Sequence, residues 1–412
     1  MNRTILHSDM NCFYASVEMM LNPELQGKAV AVCGSTENRH GIVLAKSEKA
    51  KQAGIKTGMV NWEAKRLCPD LILVPPQYEQ YLKYSNMARE IYQEYTDLVE
   101  PYGMDECFLD VTASQVLYGS GKEIADQIRC RMKNELGLTV SIGISFNKIF
   151  AKLGSDMKKP DAITSIEESE WKQKVWPLRV SELLFCGRST TKKLEQVGIY
   201  TIGDLAEMDH DYVNQLLGKN GLMLWSYANG LDDSPVMEKD FVSPMKSVGH
   251  GITCTADLKT EEEVWKVILE LCQDIGHRLR IHGLKAQGVQ IAIRSQELFT
   301  RQYQGQLSLS TIVPLEIAKL ARELFQRNYD WKEPVRSVTV RAINLVSAKE
   351  PEQICLFSDP IRLEKEKKLF LAIEEIRRRF GKRAIYPAAL MKDLKMPEYR
   401  DHGLIMPGVM NR

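Results

Sequence analysis

The sequence predicts a multidomain α+β protein, and three observations support that prediction. The chain has 412 residues, which is enough for two to four domains that each bury a core of their own. Short apolar runs with the length of strands alternate with segments of helical spacing through residues 1–165. A helical stretch follows at 166–235, and a second mixture of strands and helices comes after it.

Two predicted strands carry acidic residues at one end. The apolar run 5–6 forms a short strand with Asp9 at its far end, and a helical stretch follows. Asp105 and Glu106 stand where a second apolar strand begins. Neighbouring strand residues point to opposite faces, so this pair reaches a common object only where the backbone turns into the strand. Gly103 supplies the flexibility for that turn.

Three carboxylates meet if these two strands lie side by side. Crowded carboxylates raise one another's pKa, and divalent cations remove that penalty. Mg²⁺ prefers oxygen ligands and leaves coordination places for substrate phosphates, and two such ions about 3.5–4 Å apart support in-line phosphoryl transfer. Asp9, Asp105 and Glu106 are therefore candidate metal ligands. A solvated acidic turn is the alternative for the Asp105–Glu106 pair, because acidic residues are mostly exposed.

The segment 19–76 is predicted to form a small module between the first strand and the next long helix. Its apolar runs predict strands at 29–33 and 42–45, and its helical spacing predicts helices at 47–52 and 61–67.

The segment 77–165 completes the first α+β unit. A long helix is predicted at 78–98, where aromatic and aliphatic residues recur every three or four positions. We interpret this stripe as core packing rather than as a surface that stacks on bases. A helix at 122–136 and a strand at 139–144 follow, and then a helix on which Lys148 and Lys152 share a face.

The C-terminal half contains a linker and a second α+β unit. A charged stretch between two Ser-Pro pairs indicates a linker at 236–245. Beyond it we predict a helix at 261–282 and strands at 288–294 and 336–346, with a helix at 315–325 between the two strands.

The composition limits the classes of function. Hydrophobic content of 44% and charged content of 26% are ordinary for a globular protein. The formal net charge is +1, so any nucleic-acid surface must come from local segregation of Lys and Arg. Nine Cys without Cys-x-x-Cys spacing fit reduced thiols better than disulfides or zinc. The sequence has no signal peptide and no long uncharged apolar run, so we expect a cytoplasmic chain without membrane spans.

Three blocks of sequence resemble the signature motifs of one enzyme family. They are Asp-Met-Asn-Cys-Phe-Tyr-Ala-Ser-Val-Glu at 9–18, Gly-Met-Asp-Glu-Cys-Phe-Leu-Asp-Val at 103–111, and the block at 141–160 that begins Ser-Ile-Gly-Ile-Ser-Phe-Asn-Lys. In order and spacing they resemble the Y family of translesion DNA polymerases, and within it the bacterial polymerase IV and UmuC-like branches. The similarity runs from residue 3 to about residue 380, which is nearly the whole chain.

The resemblance implies the right-hand architecture of that family, with a palm, small fingers, a helical thumb and an α+β little finger. The implied limits are palm at 1–18 and 77–165, fingers at 19–76, thumb at 166–235, linker at 236–245, little finger at 246–350, and a clamp-binding motif with a C-terminal helix and tail at 351–412.

The resemblance also implies the reaction. The protein would be an error-prone DNA-directed DNA polymerase that copies past damaged template bases and has no proofreading exonuclease. It would transfer a nucleotide from a dNTP to the 3′-hydroxyl of a primer with two Mg²⁺ ions, for which Mn²⁺ may substitute. The carboxylates of Asp9, Asp105 and Glu106 and the carbonyl of Met10 would hold these ions.

Further residues are implied in binding the nucleotide. They are Asn11, Cys12, Phe13, Tyr14, Ser47, Lys51 and Lys152, with Tyr14 as the steric gate whose ring excludes a 2′-hydroxyl. Solvated helix positions are the alternative for Lys51 and Lys152, and an ordinary aromatic at the edge of the core is the alternative for Tyr14. Two positions depart from the family pattern, because Glu48 stands where others use Tyr and Asn11 where many carry Asp.

DNA contacts are implied in the thumb and in the little finger. The segment 184–205 resembles a helix-hairpin-helix, whose Gly187 and Gly198 would offer backbone N–H groups to a phosphate. Phe185 stands where the usual first glycine of the turn would be. Basic residues of the second α+β unit are candidates for a groove along the DNA backbone, with scattered surface charge as an equally good explanation: Lys246, Arg294, Arg301 and Arg341.

A short motif implies one protein partner. Gln353, Leu356 and Phe357 resemble the peptide with which bacterial polymerases hold the β sliding clamp, although a buried strand end is the alternative. We expect primer–template DNA and dNTP as the other partners and a monomeric enzyme. A nucleotidyl cyclase and a non-catalytic DNA-binding scaffold are the rival functions, and extension of a primer on a template separates both from a polymerase.

Overall fold

The computed structural model describes residues 3–39, 41–351, 360–382, 384–391 and 394–397. The chain forms two compact units. The first contains Met1–Gly34 and Ile42–Val242, and the second contains Ser35–Gly41 and Ser243–Gly403.

A five-stranded sheet organises the first unit. Its first strand lies between two later ones because the apolar runs near residues 5, 108 and 142 all require burial on both faces. The strand order is β5–β6–β1–β7–β8, and the strands are β1 (Ile5–Met10), β5 (Val99–Pro101), β6 (Glu106–Asp110), β7 (Val140–Ser145) and β8 (Ile163–Ile166).

One face of this sheet is covered by two long helices, α4 (Tyr78–Gln93) and α6 (Gly121–Leu136). Side chains alternate along the strands, so Leu6, Leu109 and Ile142 enter the same core as these helices. Two shorter helices complete this side of the unit, α1 (Phe13–Leu21) directly after β1 and α5 (Gln115–Tyr118) before α6.

The other face is covered by α7 (Lys148–Met157), whose N-terminus is capped by the side chain of Asn147. Ala151 of this helix packs with Phe108 of β6 in a small core that also includes Val236. A segment far along the chain therefore returns to the sheet.

That returning segment is fastened to the sheet by polar contacts. Lys148 Nζ lies 2.7 Å from Glu100 Oε2, and both side chains are nearly excluded from solvent. The same carboxylate accepts the peptide N–H of Met237 at 3.0 Å, and the carbonyl of Asp97 accepts the N–H of Lys239 at 3.0 Å. Residues 236–239 of the predicted linker are therefore held against the sheet.

A smaller three-stranded sheet lies between α1 and α4 in the sequence. The order is β3–β2–β4, with β2 (Val30–Cys33) antiparallel to β3 (Val43–Lys46) and parallel to β4 (Ile72–Val74). The helices α2 (Glu48–Gln52) and α3 (Asn61–Leu67) begin and end close to the predicted limits.

The last part of the first unit is helical, as predicted. Its helices share one core and are α8 (Trp171–Val175), α9 (Arg188–Gln196), α10 (Ile202–Glu207), α11 (His210–Leu217) and α12 (Lys219–Ala228).

The second unit is a four-stranded antiparallel sheet with helices on one face. The order is β11–β10–β12–β9, formed by β9 (Ser247–Leu258), β10 (Leu284–Ser295), β11 (Thr300–Thr311) and β12 (Val335–Ser347). The covering helices are α13 (Glu261–Ile281) and α14 (Pro314–Asn328), and α15 (Pro360–Phe380) adds Phe370 to the same core.

Several details differ from the sequence predictions. The helix predicted at 78–98 ends at Gln93, because Val99 starts a strand of the central sheet. The strands β9 and β11 were not predicted, because one face of each carries mainly Gly, Gln, Ser and Thr and the apolar alternation is weak.

Among the described residues, no helix combines the length and apolar character that crossing a bilayer requires.

Candidate active site

Two neighbouring strands bring Asp9 and Glu106 together. β1 pairs antiparallel with β6, and Asp9 lies opposite Glu106 in that register. Because side chains alternate along a strand, both carboxylates point to the same face as His7 and Phe108, which is the face under α7. The structure therefore places these two strands side by side, with Asp9 opposite Glu106.

Asp105 lies in the turn that leads into β6. Its carbonyl accepts a hydrogen bond from the N–H of Met10 at 2.9 Å, which ties the turn to the end of β1. The carbonyl of Gly103 accepts a hydrogen bond from the guanidinium of Arg89 at 3.2 Å, so α4 supports the same turn. The carboxylate of Asp105 forms no ion pair with any residue that the structure describes.

The helix α7 lies close over the carboxylates because residue 143 is glycine. A Cβ at Gly143 would stand 1.9 Å from the carbonyl oxygen of Ala151, so no larger residue fits between β7 and α7. This approach brings Lys152 Nζ to 2.9 Å from Glu106 Oε1 and to 3.5 Å from Asp9 Oδ2.

A second lysine, which the sequence analysis did not single out, completes the cluster. Lys159 follows α7, and its Nζ lies 2.6 Å from Asp9 Oδ2 and 2.8 Å from Asp156 Oδ1. Burial alone would lower the pKa of Lys152 and of Lys159, but the neighbouring carboxylates outweigh burial and raise the pKa of both. Both ammonium groups are therefore charged at neutral pH.

His7 is a fully buried neighbour of the same cluster. The hydroxyl of Ser155 lies 2.7 Å from the carbonyl oxygen of Lys152 and 2.8 Å from Nδ1 of His7. Nε2 faces Glu106 Oε2 at 3.4 Å. Burial lowers the pKa of His7, so we assign the positive charge beside Glu106 to Lys152 rather than to the imidazole.

The three carboxylates have different proton affinities. Burial, followed by the charges of Asp9 and Glu106, raises the pKa of Asp105 to about 6. Burial also raises the pKa of Asp9, although Lys159 opposes that shift. Burial acts in the same sense on Glu106, but the contact with His7 and the charge of Lys152 prevail and hold its pKa at about 2. Asp105 is the carboxylate whose negative charge is least offset by neighbouring cations.

The donor set fits hard divalent cations. It consists of carboxylate oxygens at two strand ends, and the partly buried carboxylate of Asp105 forms no ion pair with any described residue. No group of three or more His, Cys, Asp or Glu side chains is already arranged as a metal site in the part of the chain that the structure describes. Lys152 and Lys159 contact oxygens of Glu106 and Asp9.

Tyr14 lies on α1 beside this cluster and is half-buried. Its ring stacks on that of Tyr81 with centroids 4.2 Å apart, and its hydroxyl donates to Met104 Sδ at 3.4 Å. Burial, followed by the charge of Asp105, raises the pKa of Tyr14 to about 12, so the phenol stays protonated.

Comparisons with known proteins agree with this geometry. The model of the impB/mucB/samB family matches residues 8–156, and the model of that family's C-terminal domain matches residues 245–356. DNA polymerase IV of Acetivibrio thermocellus is 48% identical over 95% of this chain and 98% of its own length. DNA polymerase IV 1 of Bacillus subtilis (strain 168) is 38% identical over 95% of this chain and 94% of its own.

The chain belongs to the impB/mucB/samB family, the Y-family DNA polymerases. It is a DNA-directed DNA polymerase and a translesion enzyme, as the sequence predicted, and its relatives place it in the polymerase IV branch, which the sequence had left open against the UmuC-like branch. A solved Y-family DNA polymerase chimera, Dbh-Dpo4(243-245)-Dbh, shares the fold with a TM-score of 0.74 and 24% identity, over 84% of this chain and 99% of that chain. The five-stranded sheet is thus the palm, the three-stranded sheet the fingers, the helices α8–α12 the thumb, and the four-stranded sheet the little finger.

Several residues assigned to nucleotide binding in this Y-family polymerase lie around the start of α1 and on α2 of the fingers. Cys12, Phe13 and Tyr14 occupy the turn and first residues of α1, next to the end of β1. Cys12 Sγ contacts Glu48 Oε2 at 3.8 Å, which joins this turn to the fingers. Lys51 is half-exposed beside Glu48, with a 3.7 Å ion pair, and its ammonium is available to a ligand from solvent.

Two other assigned residues have structural roles. The side-chain amide of Asn11 donates to Ser141 Oγ and accepts the N–H of Asp161 at 2.9 Å each. The hydroxyl of Ser47 accepts the N–H of Val30 at 3.0 Å and caps α2, and the residue is 2% exposed. Their assignment to nucleotide binding stays a prediction.

The thumb hairpin retains its backbone shape without the usual glycine. Phe185 has a φ of 68°, in the left-handed region that favours glycine. Gly187 caps the N-terminus of α9, and Gly198 has a φ of 84° in the turn before α10. Both glycines are exposed, so their backbones are accessible to a phosphate.

The little-finger sheet divides its arginines between two faces. Val289, Ile291 and Ile293 of β10 face the helices, so Arg294 lies on the open face. Arg341 pairs with Gln290 on that open face, and Lys246 precedes the neighbouring strand. Arg301 pairs with Ile293 and therefore points to the opposite side, which removes it from the proposed groove.

The predicted clamp-binding residues Gln353, Leu356 and Phe357 lie outside the residues that the structure describes.

Proposed function

We propose that this polymerase transfers nucleotides at a two-metal centre held by Asp9, Asp105, Glu106 and the carbonyl of Met10. The observation that carries the proposal is the pairing of Asp9 with Glu106 at adjoining strand ends, next to Asp105, which is partly buried and forms no ion pair with any described residue. Two Mg²⁺ ions at these oxygens would neutralise charge and stabilise both the attacking and the leaving oxygen of an in-line displacement.

The protein's own contribution is to position and neutralise charge. The Met10–Asp105 backbone bond and the Arg89–Gly103 contact fix the turn, so the carboxylates need no rearrangement when substrate binds. Protein bases contribute little to phosphoryl transfer compared with such positioning.

The two lysines of the cluster have a further proposed role. Lys152 and Lys159 already lie within 3.5 Å of the Asp9 carboxylate, and both are charged. A triphosphate bound beside the carboxylates offers these ammonium groups an alternative anion. We therefore assign both, together with Lys51 of the fingers, to the phosphates of the incoming dNTP.

Tyr14 is the proposed steric gate. Its ring lies at the start of α1, directly beyond the strand that carries Asp9, and is backed by Tyr81. A ring in this position blocks a 2′-hydroxyl on the sugar, so Tyr14→Ala is expected to lower the preference for deoxyribonucleotides by about 100-fold.

DNA contacts are proposed on the thumb and on the little finger. The exposed N-terminus of α9 at Gly187 and the turn at Gly198 suit a backbone phosphate, and the open sheet face carries Arg294 and Arg341. The contacts read charge rather than base sequence, as a polymerase that accepts any template requires.

Several further assignments are proposals that the sequence supports. They are the domain limits given above, the sliding clamp as a partner of 353–357, a monomeric enzyme and a cytoplasmic site of action. The eight cysteines among the described residues are all free, which agrees with a reducing compartment.

Primer extension tests the central proposal. Asp105→Ala and Glu106→Ala are each expected to abolish Mg²⁺-dependent extension of a labelled primer, with unchanged circular dichroism. Asp156→Ala is the matched control, because Asp156 contacts the same lysines without standing at a strand end. Extension by either strand-end variant at more than about 1% of the parent rate would refute the metal centre, since loss of charge stabilisation costs at least about 100-fold.

A further inference from the structure

Glu18 is a buried carboxylate that the proposed chemistry does not use. It lies on α1 and is 4% exposed. Two side chains supply its hydrogen bonds, since the hydroxyl of Tyr81 donates to Oε1 and the amide of Gln77 donates to Oε2 at 2.7 Å. A charge is tolerated in such a place only where partners satisfy it, so the bond to Tyr81 is a built feature of the site.

The tyrosine that Glu18 holds is the surface on which Tyr14 lies. The two rings are nearly parallel, with an interplanar angle of 10° and centroids 4.2 Å apart. Tyr81 is completely buried, whereas Tyr14 is half-buried. Tyr78 packs edge-on against Tyr14 at 6.1 Å, and Met104 contacts its hydroxyl. The ring of Tyr14 is therefore restrained on one face, at one edge and at its tip.

These contacts form a closed frame between two helices. Tyr14 and Glu18 are four residues apart on α1 and so share a face. Tyr81 reaches both of them from α4, one through its ring and the other through its hydroxyl. Glu18 thus fixes the position of Tyr81, and Tyr81 fixes the position of Tyr14.

We propose that Glu18 and Tyr81 are positioning residues that set the selectivity of this polymerase against ribonucleotides. The inference rests on the proposed role of Tyr14 as the steric gate. A ring excludes a 2′-hydroxyl only while it cannot move aside, and a side chain that lacks restraint has other staggered rotamers available. The frame removes that freedom, so part of the selectivity lies in two residues that touch no substrate.

The test compares incorporation of a dNTP and of the matching rNTP on one primer–template. For each variant, the ratio of kcat/KM for the two sugars measures selectivity. Tyr81→Leu removes the stacked ring and is expected to lower the ratio by roughly 3- to 10-fold. Tyr81→Phe keeps the ring and removes its hydroxyl anchor, and Glu18→Gln keeps an acceptor for that hydroxyl but removes the charge that strengthens the bond, so both should lower the ratio in the same direction by less. The change should come from faster rNTP incorporation, with dNTP incorporation little altered.

A matched control is available on the same helix. Tyr92 is buried on α4 and its hydroxyl bonds to Ser8 Oγ at 3.0 Å, away from Tyr14. Tyr92→Phe therefore removes a comparable buried hydroxyl and should leave the sugar ratio at the parent value. Thermal melting of each variant separates lost selectivity from lost folding.

The outcomes distinguish this inference from the gate itself. If Tyr14→Ala lowers the sugar ratio but Tyr81→Leu and Glu18→Gln retain the parent ratio, the positioning role is overturned and the gate stands. If Tyr14→Ala leaves the ratio unchanged, both are overturned. Tyr14→Ala combined with Tyr81→Leu should lose no more selectivity than Tyr14→Ala alone, and additive losses would also overturn the positioning role.

Discussion

The palm sheet and the little-finger sheet use their surfaces in opposite ways. The palm sheet is covered on both faces, and Asp9 and the partly buried Glu106 lie among lysines at two of its strand ends. Among the described residues, the little-finger sheet is covered by helices on one face only. Its open face carries small or neutral polar side chains beside arginines, among them Gly249, Gly251, Gln290, Thr339 and Arg341.

The difference follows from what each sheet is proposed to do. Phosphoryl transfer needs fixed charges in a dry place, where electrostatic interactions are strong and no reorganisation is required. Holding a duplex in any sequence needs a broad accessible surface with mobile positive charges at the phosphates. Burial therefore accompanies chemistry in this molecule, and exposure accompanies binding.

Asp105→Asn is expected to have the largest effect, and it tests whether the palm carboxylates act as fixed charges in catalysis. We expect a loss of extension rate of at least about 1,000-fold, because an amide cannot replace a carboxylate at a cation site. The same change should stabilise the metal-free protein by about 2 kcal/mol at pH 8, because the folded state raises the pKa of Asp105 to about 6.

The pH dependence of that stabilisation gives a second measurement. A raised carboxyl pKa penalises folding only when the group is charged, so the gain should be complete above pH 6 and should disappear as the pH falls through 6 towards 4. Urea unfolding of both proteins in EDTA at pH 8 and pH 4 measures it. If the free energy of unfolding of the two proteins differed by the same amount at pH 8 and pH 4, the raised pKa of Asp105 would be contradicted.

The next largest effect concerns the glycines of the two sheets. Gly143→Ala places a Cβ against the backbone of α7, at 1.9 Å from the carbonyl oxygen of Ala151, and should destabilise the protein by about 3 kcal/mol or more. Gly251→Ala meets the side chain of Thr339 on an open face, where a hydroxyl can rotate away, so a loss of about 1 kcal/mol is expected. Chemical denaturation of both variants compares them, and equal losses would argue against a closed palm and an open little finger.

The smallest effect sharpens the assignment of the open face. Arg341→Ala and Arg294→Ala should each weaken primer–template binding a few-fold and reduce the dependence of log Kd on log salt by about one. Arg301→Ala is the matched control, because register places Arg301 on the side of the helices. Fluorescence anisotropy at several salt concentrations measures all three. A reduced slope for Arg301→Ala with an unchanged slope for the other two would exclude the proposed groove.

The sequence was sufficient where local pattern determines structure. Strand-end carboxylates, helical spacing and the turn at Gly103 predicted the palm and its three acidic residues, and the relatives confirm the fold and the family. Such patterns do not predict strand register or contacts between residues far apart in the chain. The face on which Arg301 lies depends on its partner Ile293, and the reach of Lys159 to Asp9 depends on the path of the chain after α7.

The structural roles of two polar side chains were also not predicted. Asn11 and Ser47 stand inside motifs that suggest a ligand, yet their hydrogen bonds go to Ser141, Asp161 and Val30. The importance of Glu18 could not be inferred in advance, because it depends on Tyr81 arriving from another helix.

The attachment of the chain to the palm at Lys239 leaves only a short linker before the first strand of the little finger. The N–H of Lys239 is bonded to Asp97, and the next strand begins at Ser247, so only residues 240–246 remain to bridge the two units. Seven residues in full extension cover at most about 25 Å. The segment between the two units is therefore a short linker.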